Sequence, residues 1–222
     1  IAEAADQSKT RFLAAASHDI LQPLNAARLY ATSLLERTRE GQGDSAELIT
    51  NLDLSLEAVE EILTALLEIS RLDSGKMKAE PSVFPLGEML SQLRVEFEPL
   101  AKEKGLELVF APCSLSVRSD KRMLRRLLQN LISNAIKYTH KGRVVVGVRR
   151  RAEFVVVEVW DTGLGIPQDK QRAVFREFER LAPAAKTVRG LGLGLSIVER
   201  LSRVLRHRVS LSSEPGRGTV FR

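Results

Sequence analysis

The sequence predicts an α+β protein in which an antiparallel helical hairpin is followed by an α/β sandwich domain. Apolar residues recur every seven positions through residues 8–38 and again through residues 46–72, which is the spacing of helices that pack side by side. Residues 41–45 read Gly-Gln-Gly-Asp-Ser, so they break the first helix and supply an N-cap for the second. Beyond Pro81 and Pro85, helical and strand-like patterns alternate, as in a mixed domain.

The two N-terminal helices carry apolar stripes that a single hairpin cannot bury on both partners. The first stripe contains Leu13, Ile20, Leu24, Ala27, Ala31 and Leu34, and the second contains Leu52, Leu56, Val59, Ile62, Leu63, Leu66 and Ile69. Pairing two hairpins into a four-helix bundle would bury these stripes. We therefore expect a homodimer, formed through a first domain that spans residues 1–76.

The second domain is expected to span residues 80–222, after a linker marked by Pro81 and Pro85. Its predicted helices span residues 86–104, 121–138 and 196–205, and its predicted strands span residues 106–110, 144–149, 155–160, 209–213 and 219–221.

One of these predicted helices carries a polar row on an otherwise apolar pattern. Asn130, Asn134 and Lys137 are spaced four and three residues apart, so they share one helical face. An amide oxygen suits a hard cation such as Mg²⁺, and a lysine suits a phosphate. The row fits magnesium-ATP, although a solvated polar face explains this segment equally well when it is taken alone.

Two glycine-rich segments favour the nucleotide interpretation. Asp161-Thr162-Gly163-Leu164-Gly165 follows a strand-like run, which places a carboxylate at the strand end, where it can accept a hydrogen bond from an exocyclic amine such as that of adenine. Gly190, Gly192 and Gly194 lead directly into a helical pattern and present backbone N–H groups to an anion. Each glycine motif is common by itself, but this order of amide helix, Asp-Gly turn and triple-glycine loop is not.

Composition restricts the alternatives. The net charge is +6, but the arginines are scattered and only 5% of residues are aromatic, so we expect no nucleic-acid partner. No apolar run is long enough to cross a membrane, and the single Cys113 fits a reducing compartment. We expect a cytoplasmic fragment without membrane contact, cut at both ends from a longer protein that is itself membrane-anchored or soluble.

The order of motifs resembles the GHKL superfamily of ATP-binding proteins and, within it, the sensor histidine kinases. Residues 130–139 resemble the N box of these kinases, residues 161–167 and 190–194 their glycine boxes, residues 175–178 the F box and residues 216–219 the terminal Gly-x-Gly-Thr. Upstream, Ser17-His18-Asp19-Ile20-Leu21-Gln22-Pro23 resembles the H box that carries the phosphorylated histidine. The resemblance covers nearly the whole chain, and a hybrid kinase is one source of such a core.

The resemblance implies a role for each site residue. His18 would be phosphorylated from ATP and would pass the phosphoryl group to an aspartate on a response-regulator receiver domain. Asn134 would hold magnesium with Asn130 assisting, and Lys137 would contact phosphate. The adenine would be recognised by Asp161 with Thr219 nearby, and Tyr138 would pack on the base.

The H box departs from the family pattern at two positions. The fourth residue after His18 is Gln22 instead of threonine or asparagine, and the usual arginine is replaced by Leu21. Asp19 retains the carboxylate that can hold the imidazole tautomer and accept its proton. The Gln22 amide can still orient a water molecule, so phosphatase activity remains open.

Two alternative functions remain. A catalytically degenerate kinase could regulate another kinase by dimerisation, although the presence of Asn134, Asp161 and the loop glycines argues against it. A different GHKL enzyme, such as a protein-serine kinase or an ATPase, would lack the hairpin with His18, Asp19 and Pro23.

Overall fold

The computed structural model describes residues 2–39, 45–175 and 192–222, and within them the side chains of residues 2–15, 18 and 39 are outside the description. The chain divides into two compact units, residues 1–70 and 71–222.

The first unit consists of two long helices, α1 (Ala2–Arg39) and most of α2 (Ala46–Asp73). Only a few of its described side chains are buried: Ala16, Ala27, Ile62 and Ile69. Many of its large aliphatic side chains are exposed, among them Leu21, Leu24, Leu29, Leu35, Leu56, Leu63 and Leu67. The predicted helical hairpin is confirmed, and three of the described stripe residues, Leu24, Leu56 and Leu63, are exposed within one chain.

The second unit is a mixed α/β domain. In chain order its elements are β1 (Ser82–Pro85), α3 (Leu86–Glu103), β2 (Glu107–Phe110), β3 (Ser116–Ser119), α4 (Lys121–Tyr138), β4 (Arg143–Arg151), β5 (Phe154–Asp161), the 3₁₀ turns Gln168–Lys170 and Ala173–Phe175, α5 (Gly194–Leu205), β6 (Leu211–Glu214) and β7 (Gly218–Phe221).

The main sheet has five strands in the order β2-β4-β5-β7-β6. β2 pairs with β4 in parallel, and the other neighbours are antiparallel. Alternate residues of β4, Val144 and Val146, are fully buried, as expected for a strand with one face on the core. The apolar faces of α4 and α5 pack against each other, so the predicted α+β class with an α/β second domain is confirmed.

The structure corrects one detail of the prediction. The segment between Pro81 and Pro85, expected to be a linker, contains strand β1, which pairs antiparallel with β3 in a separate two-stranded sheet. Phe84 is its inward residue and is buried, whereas Val83 is 71% exposed. Pro85 is tolerated because it ends the strand, where a missing N–H costs little.

Across the described ranges, no helix has the length and hydropathy needed to span a bilayer.

Candidate functional site

Helix α4 carries the predicted polar row, and its start is fixed by an acidic N-cap. The Asp120 carboxylate accepts hydrogen bonds from the backbone N–H groups of Arg122 (3.0 Å), Met123 (3.0 Å) and Glu80 (2.9 Å). Burial alone would raise the pKa of Asp120, but these N–H groups and the Arg122 charge outweigh burial and hold the pKa below its usual value. The capped helix is therefore anchored at the end away from the polar row.

The two asparagines of the row lie against the glycine loop that begins α5. The Asn130 Nδ2 donates to the Arg126 carbonyl at 2.9 Å, which turns its Oδ1 outward. A Cβ placed on Gly194 would lie 3.2 Å from the Asn130 Oδ1 and 3.3 Å from the Asn134 Nδ2. Two segments about sixty residues apart in sequence are thus brought into contact, and position 194 has little room for a side chain.

The far end of α4 is held by a lysine that the sequence did not reveal as important. The Lys104 Nζ donates to the carbonyls of Ile136 (3.1 Å) and Lys137 (2.9 Å), and the Thr139 hydroxyl donates to the Ala135 carbonyl at 2.7 Å. These bonds satisfy carbonyls that the last helical turn leaves open. They fix the turn that carries Lys137 and Tyr138, whose side chains are half-buried.

Asp161 ends strand β5 and faces the core side of the sheet. Its Oδ1 accepts from the Gly163 N–H at 2.8 Å, and the Thr219 N–H also donates to the carboxylate. Burial nevertheless dominates, and it raises the pKa of Asp161 to about 6. Thr219 lies directly opposite on β7 and is buried, so the two side chains occupy one face of the ladder.

The loop after Asp161 is packed too closely for side chains. A Cβ on Gly163 would collide with the Tyr138 carbonyl oxygen, and one on Gly165 with the Glu214 carbonyl oxygen. Gly165 also has a φ of +68°, which glycine adopts without strain. The loop therefore needs both glycines for its shape, whatever ligand it binds.

Two polar residues that the sequence analysis did not single out fasten this loop to the β6–β7 hairpin. The Ser213 hydroxyl accepts from the Ile166 N–H at 2.7 Å. The Gln171 side-chain amide donates to the Ser213 carbonyl at 2.9 Å and to the Ile166 carbonyl at 3.1 Å. The partners are more than forty residues apart or on the far side of a turn, so local sequence patterns do not show the connection.

Of the glycine loop before α5, the structure describes Gly192 and Gly194. Gly190 lies outside the described residues, as do residues 176–178 of the predicted F box. Gly192 has a φ of +69°, and Gly194 is the first residue of α5. The predicted use of Gly192 and Gly194 at a helix start fits this arrangement.

The candidate phosphoacceptor residues all lie on α1. The helix is continuous from Ala2 to Arg39 and includes His18, Asp19, Gln22 and Pro23. Asp19 is half-buried and Gln22 is exposed, whereas the His18 side chain is outside the description. Asp19 and Gln22, one and four positions beyond His18, thus lie on the same helix, with Gln22 one turn away.

The donor set near Asn134 fits magnesium only together with a phosphate ligand. Among the described residues, no group of three or more His, Cys, Asp or Glu side chains could hold a metal by itself. The Asn130 and Asn134 amides offer neutral oxygens, and Mg²⁺ is commonly bound by one or two protein groups, substrate phosphates and water. The residues present therefore fit a metal that arrives with a nucleotide.

Comparison with protein families divides the chain into two known domains. Residues 8–75 match the His Kinase A (phospho-acceptor) domain. Residues 119–222 match the histidine kinase-, DNA gyrase B- and HSP90-like ATPase domain.

Individual relatives agree with this division. The chain is 33% identical over 224 residues to the sensor histidine kinase RcsC of Salmonella typhimurium. The aligned region covers 99% of this chain but only 23% of RcsC. Full-length ShkA, solved in complex with AMPPNP, is 26% identical to this chain and superposes with a TM-score of 0.66. The match covers 90% of this chain and 44% of the ShkA chain. Histidine kinase ThkA, solved in complex with response regulator protein TrrA, matches 95% of this chain and 59% of its own at 22% identity and a TM-score of 0.73.

Proposed function

The chain belongs to the sensor histidine kinases, and on that premise we propose that it phosphorylates His18 from ATP and passes the phosphoryl group to an aspartate of a response-regulator receiver domain. The single observation that carries the proposal is the closeness of Gly194 to the amides of Asn130 and Asn134, which would lie only 3.2 Å and 3.3 Å from a Cβ at that position. This proximity joins the amide helix and the second glycine loop into one site, which is what a nucleotide with its metal requires.

In this site each residue has a separate role. Asn134, assisted by Asn130, would hold Mg²⁺ through its amide oxygen, and Lys137 would contact phosphate. Magnesium, when bound, neutralises charge on the phosphates. Asp161 and Thr219 would receive the amine of adenine, and Tyr138 would pack on the base. The fixed end of α4 supports this assignment because it holds Lys137 and Tyr138 in place.

The chemical step needs a nucleophile and a proton acceptor. One imidazole nitrogen of His18 would attack the γ-phosphorus, the bond from phosphorus to the bridging oxygen would break, and ADP would leave with the bonding electrons. Asp19 would accept the proton from the other ring nitrogen, since an adjacent carboxylate is suited to that role. Transfer to a receiver aspartate would then regenerate neutral His18.

We also propose that the first unit forms a homodimer. Its exposed leucines support this, because an open aliphatic stripe is stabilised when two hairpins pair. The receiver partner is supported by the family and by the ThkA complex, whose fold this chain shares. The chain spans less than a quarter of the RcsC length.

Gln22 is proposed to serve dephosphorylation of the receiver by water. It is exposed one turn after His18, and its amide can position a water molecule against a phosphoaspartate of a docked receiver. It has no useful pKa, so it cannot replace Asp19 as a base. Kinase and phosphatase activities would thus depend on different neighbours of one histidine.

The test is incubation with labelled ATP, with and without Mg²⁺, followed by mapping of the modified residue. His18→Gln should retain ATP binding and lose all labelling, whereas the exposed His140→Gln should label like wild type. Asp19→Asn should slow labelling roughly a hundredfold, the typical effect of a lost general base. Labelling that survives in His18→Gln would refute the assignment.

The same experiment separates the rival functions. A degenerate module would bind ATP without becoming labelled, and a protein-serine kinase would give an acid-stable phosphoprotein instead of an acid-labile one. Mixing phosphorylated receiver with each variant then tests Gln22: Gln22→Ala should spare labelling and reduce only receiver dephosphorylation. Equal decay with wild type, with Gln22→Ala and with no kinase would show that the core has no phosphatase activity.

A further inference from the structure

One hydroxyl oxygen at the edge of the proposed base pocket has three polar neighbours. The Ser213 Oγ lies 2.7 Å from the Ile166 backbone nitrogen, 2.9 Å from the Gly218 carbonyl oxygen and 2.8 Å from the Thr219 Oγ1. Ser213 is half-buried and Thr219 is buried. These contacts therefore exchange little with solvent, and the direction of each hydrogen bond matters.

The proton count decides those directions. A serine hydroxyl donates one proton and accepts up to two. The Ile166 N–H can only donate to Ser213, and the Gly218 carbonyl can only accept from it. All three contacts are hydrogen bonds only if Ser213 gives its proton to Gly218 and Thr219 donates its own proton to Ser213. If Ser213 donated to Thr219 instead, the Gly218 contact would lose its proton.

From this count we infer that Ser213 is a specificity-determining residue, which holds the Thr219 hydroxyl so that it faces the ligand only as an acceptor. The inference rests on the proposed function, in which Asp161 and Thr219 receive the base. Thr219 is the cross-strand neighbour of Asp161, whose ionised carboxylate is also acceptor-only. The Asp161 carboxylate and the Thr219 hydroxyl would then both accept hydrogen bonds from an amino group of the base, and they would repel a carbonyl oxygen at the same position.

The surrounding bonds keep Ser213 in place. Gln171 bridges the carbonyls of Ser213 and Ile166 at 2.9 Å and 3.1 Å, and the Gly216 N–H donates to the Leu164 carbonyl at 2.8 Å. These bonds connect the loop to the hairpin close to Ser213. The selected ligand class is a purine nucleotide with an amino group at position 6, and the rejected class is its 6-keto counterpart.

The test compares ATP with inosine triphosphate, which replaces the 6-amino group with a carbonyl, in equilibrium binding to the full chain. Wild type should prefer ATP. Ser213→Ala frees the Thr219 hydroxyl to donate to a carbonyl, so the preference should fall by about tenfold, the effect of one hydrogen bond. Ser212→Ala is the matched control, because Ser212 is exposed on the opposite face of the same strand and should leave the preference unchanged.

A second variant distinguishes hydroxyl direction from general loosening of the loop. Adding Thr219→Val to Ser213→Ala removes the freed donor, so the gain in inosine triphosphate affinity should disappear. If Ser213→Ala weakens both nucleotides equally, its role is only structural and the inference is wrong, while the proposed function stands. If wild type binds neither nucleotide, the proposed function itself fails and the inference fails with it.

Discussion

The helices of the two units differ in how they bury their leucines. In the second unit, α4 buries eight side chains, including Leu127, Leu131 and Ile136, against the sheet and its neighbouring helices. In the first unit, α1 and α2 leave leucines such as Leu29 (67% exposed) and Leu35 (63% exposed) open to solvent. In the second unit α4 completes its packing within the chain, whereas in the first unit these leucines lack such cover.

If the proposed homodimer forms through the first unit, this difference separates association from the stability of the second unit. Exposed stripe leucines such as Leu56 and Leu63 would be covered when two hairpins pair into a four-helix bundle. Changes in the first unit should therefore alter the oligomeric state, and changes in the second unit should alter the stability of one chain. The single tryptophan of the sequence, Trp160 on β5, reports on the second unit alone.

The largest expected effect is on dimerisation. Leu63→Glu places a charge on a stripe residue that is 46% exposed in one chain and would be buried in the bundle. Burying an unpaired charge costs several kcal/mol, so the dimer dissociation constant should rise by at least roughly a hundredfold. Sedimentation at micromolar concentration measures the effect, with the adjacent exposed Thr64→Glu as a control of equal charge. A monomeric wild type would remove the basis of the comparison.

An intermediate effect is expected at Asp161, where the second unit tolerates a buried charge. Burial raises the pKa of Asp161 in the folded chain to about 6, above its ordinary value of 3.8. The protonated carboxyl therefore favours the folded state. This contribution to the free energy of unfolding is fully present below pH 3.8 and is lost as the pH rises through 6, where the ionised carboxylate destabilises the fold. Asp161→Asn should raise the free energy of unfolding at pH 7 by roughly 3 kcal/mol, at 1.36 kcal/mol per pKa unit, while weakening ATP binding.

Denaturant unfolding followed by Trp160 fluorescence measures this change. The advantage of Asp161→Asn should shrink as the pH falls through 6 and vanish near the unfolded pKa of 3.8. An advantage that is independent of pH would show that the charge of Asp161 is not its cause.

The smallest expected effect is at the end of α4. Lys104→Met removes the ammonium that bonds the Ile136 and Lys137 carbonyls, and because Lys104 is exposed, the loss should be about 1 kcal/mol. Lys102→Met is the matched control, since Lys102 forms an ion pair with Glu98 on the surface of α3 (3.2 Å), an interaction worth a few tenths of a kcal/mol. The same fluorescence measurement applies, and equal losses in both variants would deny Lys104 a special role.

The sequence predicted those features that repeat or are contiguous. The heptads of α1 and α2 reflect helical periodicity, and the boundaries of α4 match the prediction at Lys121 and Tyr138. The amides of Asn130 and Asn134 were recognisable because an apolar helix rarely carries two of them on one stripe.

What the sequence did not reveal depends on pairing between distant segments. Strand β1 has only four residues and a proline at its end, so its pairing with β3 leaves no periodic signal. Ser213, Gln171 and Lys104 are ordinary polar residues whose partners are decided by the crossing of strands and helices. Their roles appear only when the chain is folded, because no local pattern relates Ser213 to Ile166.

Two glycines with similar φ values are expected to differ in how freely they can be substituted during evolution. Gly165 and Gly216 have φ values of +68° and +76°, but a Cβ on Gly165 meets the Glu214 backbone, whereas one on Gly216 has nothing within 4 Å. Asparagine tolerates the left-handed region, so position 216 can drift to asparagine at modest cost. Position 165 has no room for a side chain, so a homologue without this glycine must have a loop of different shape.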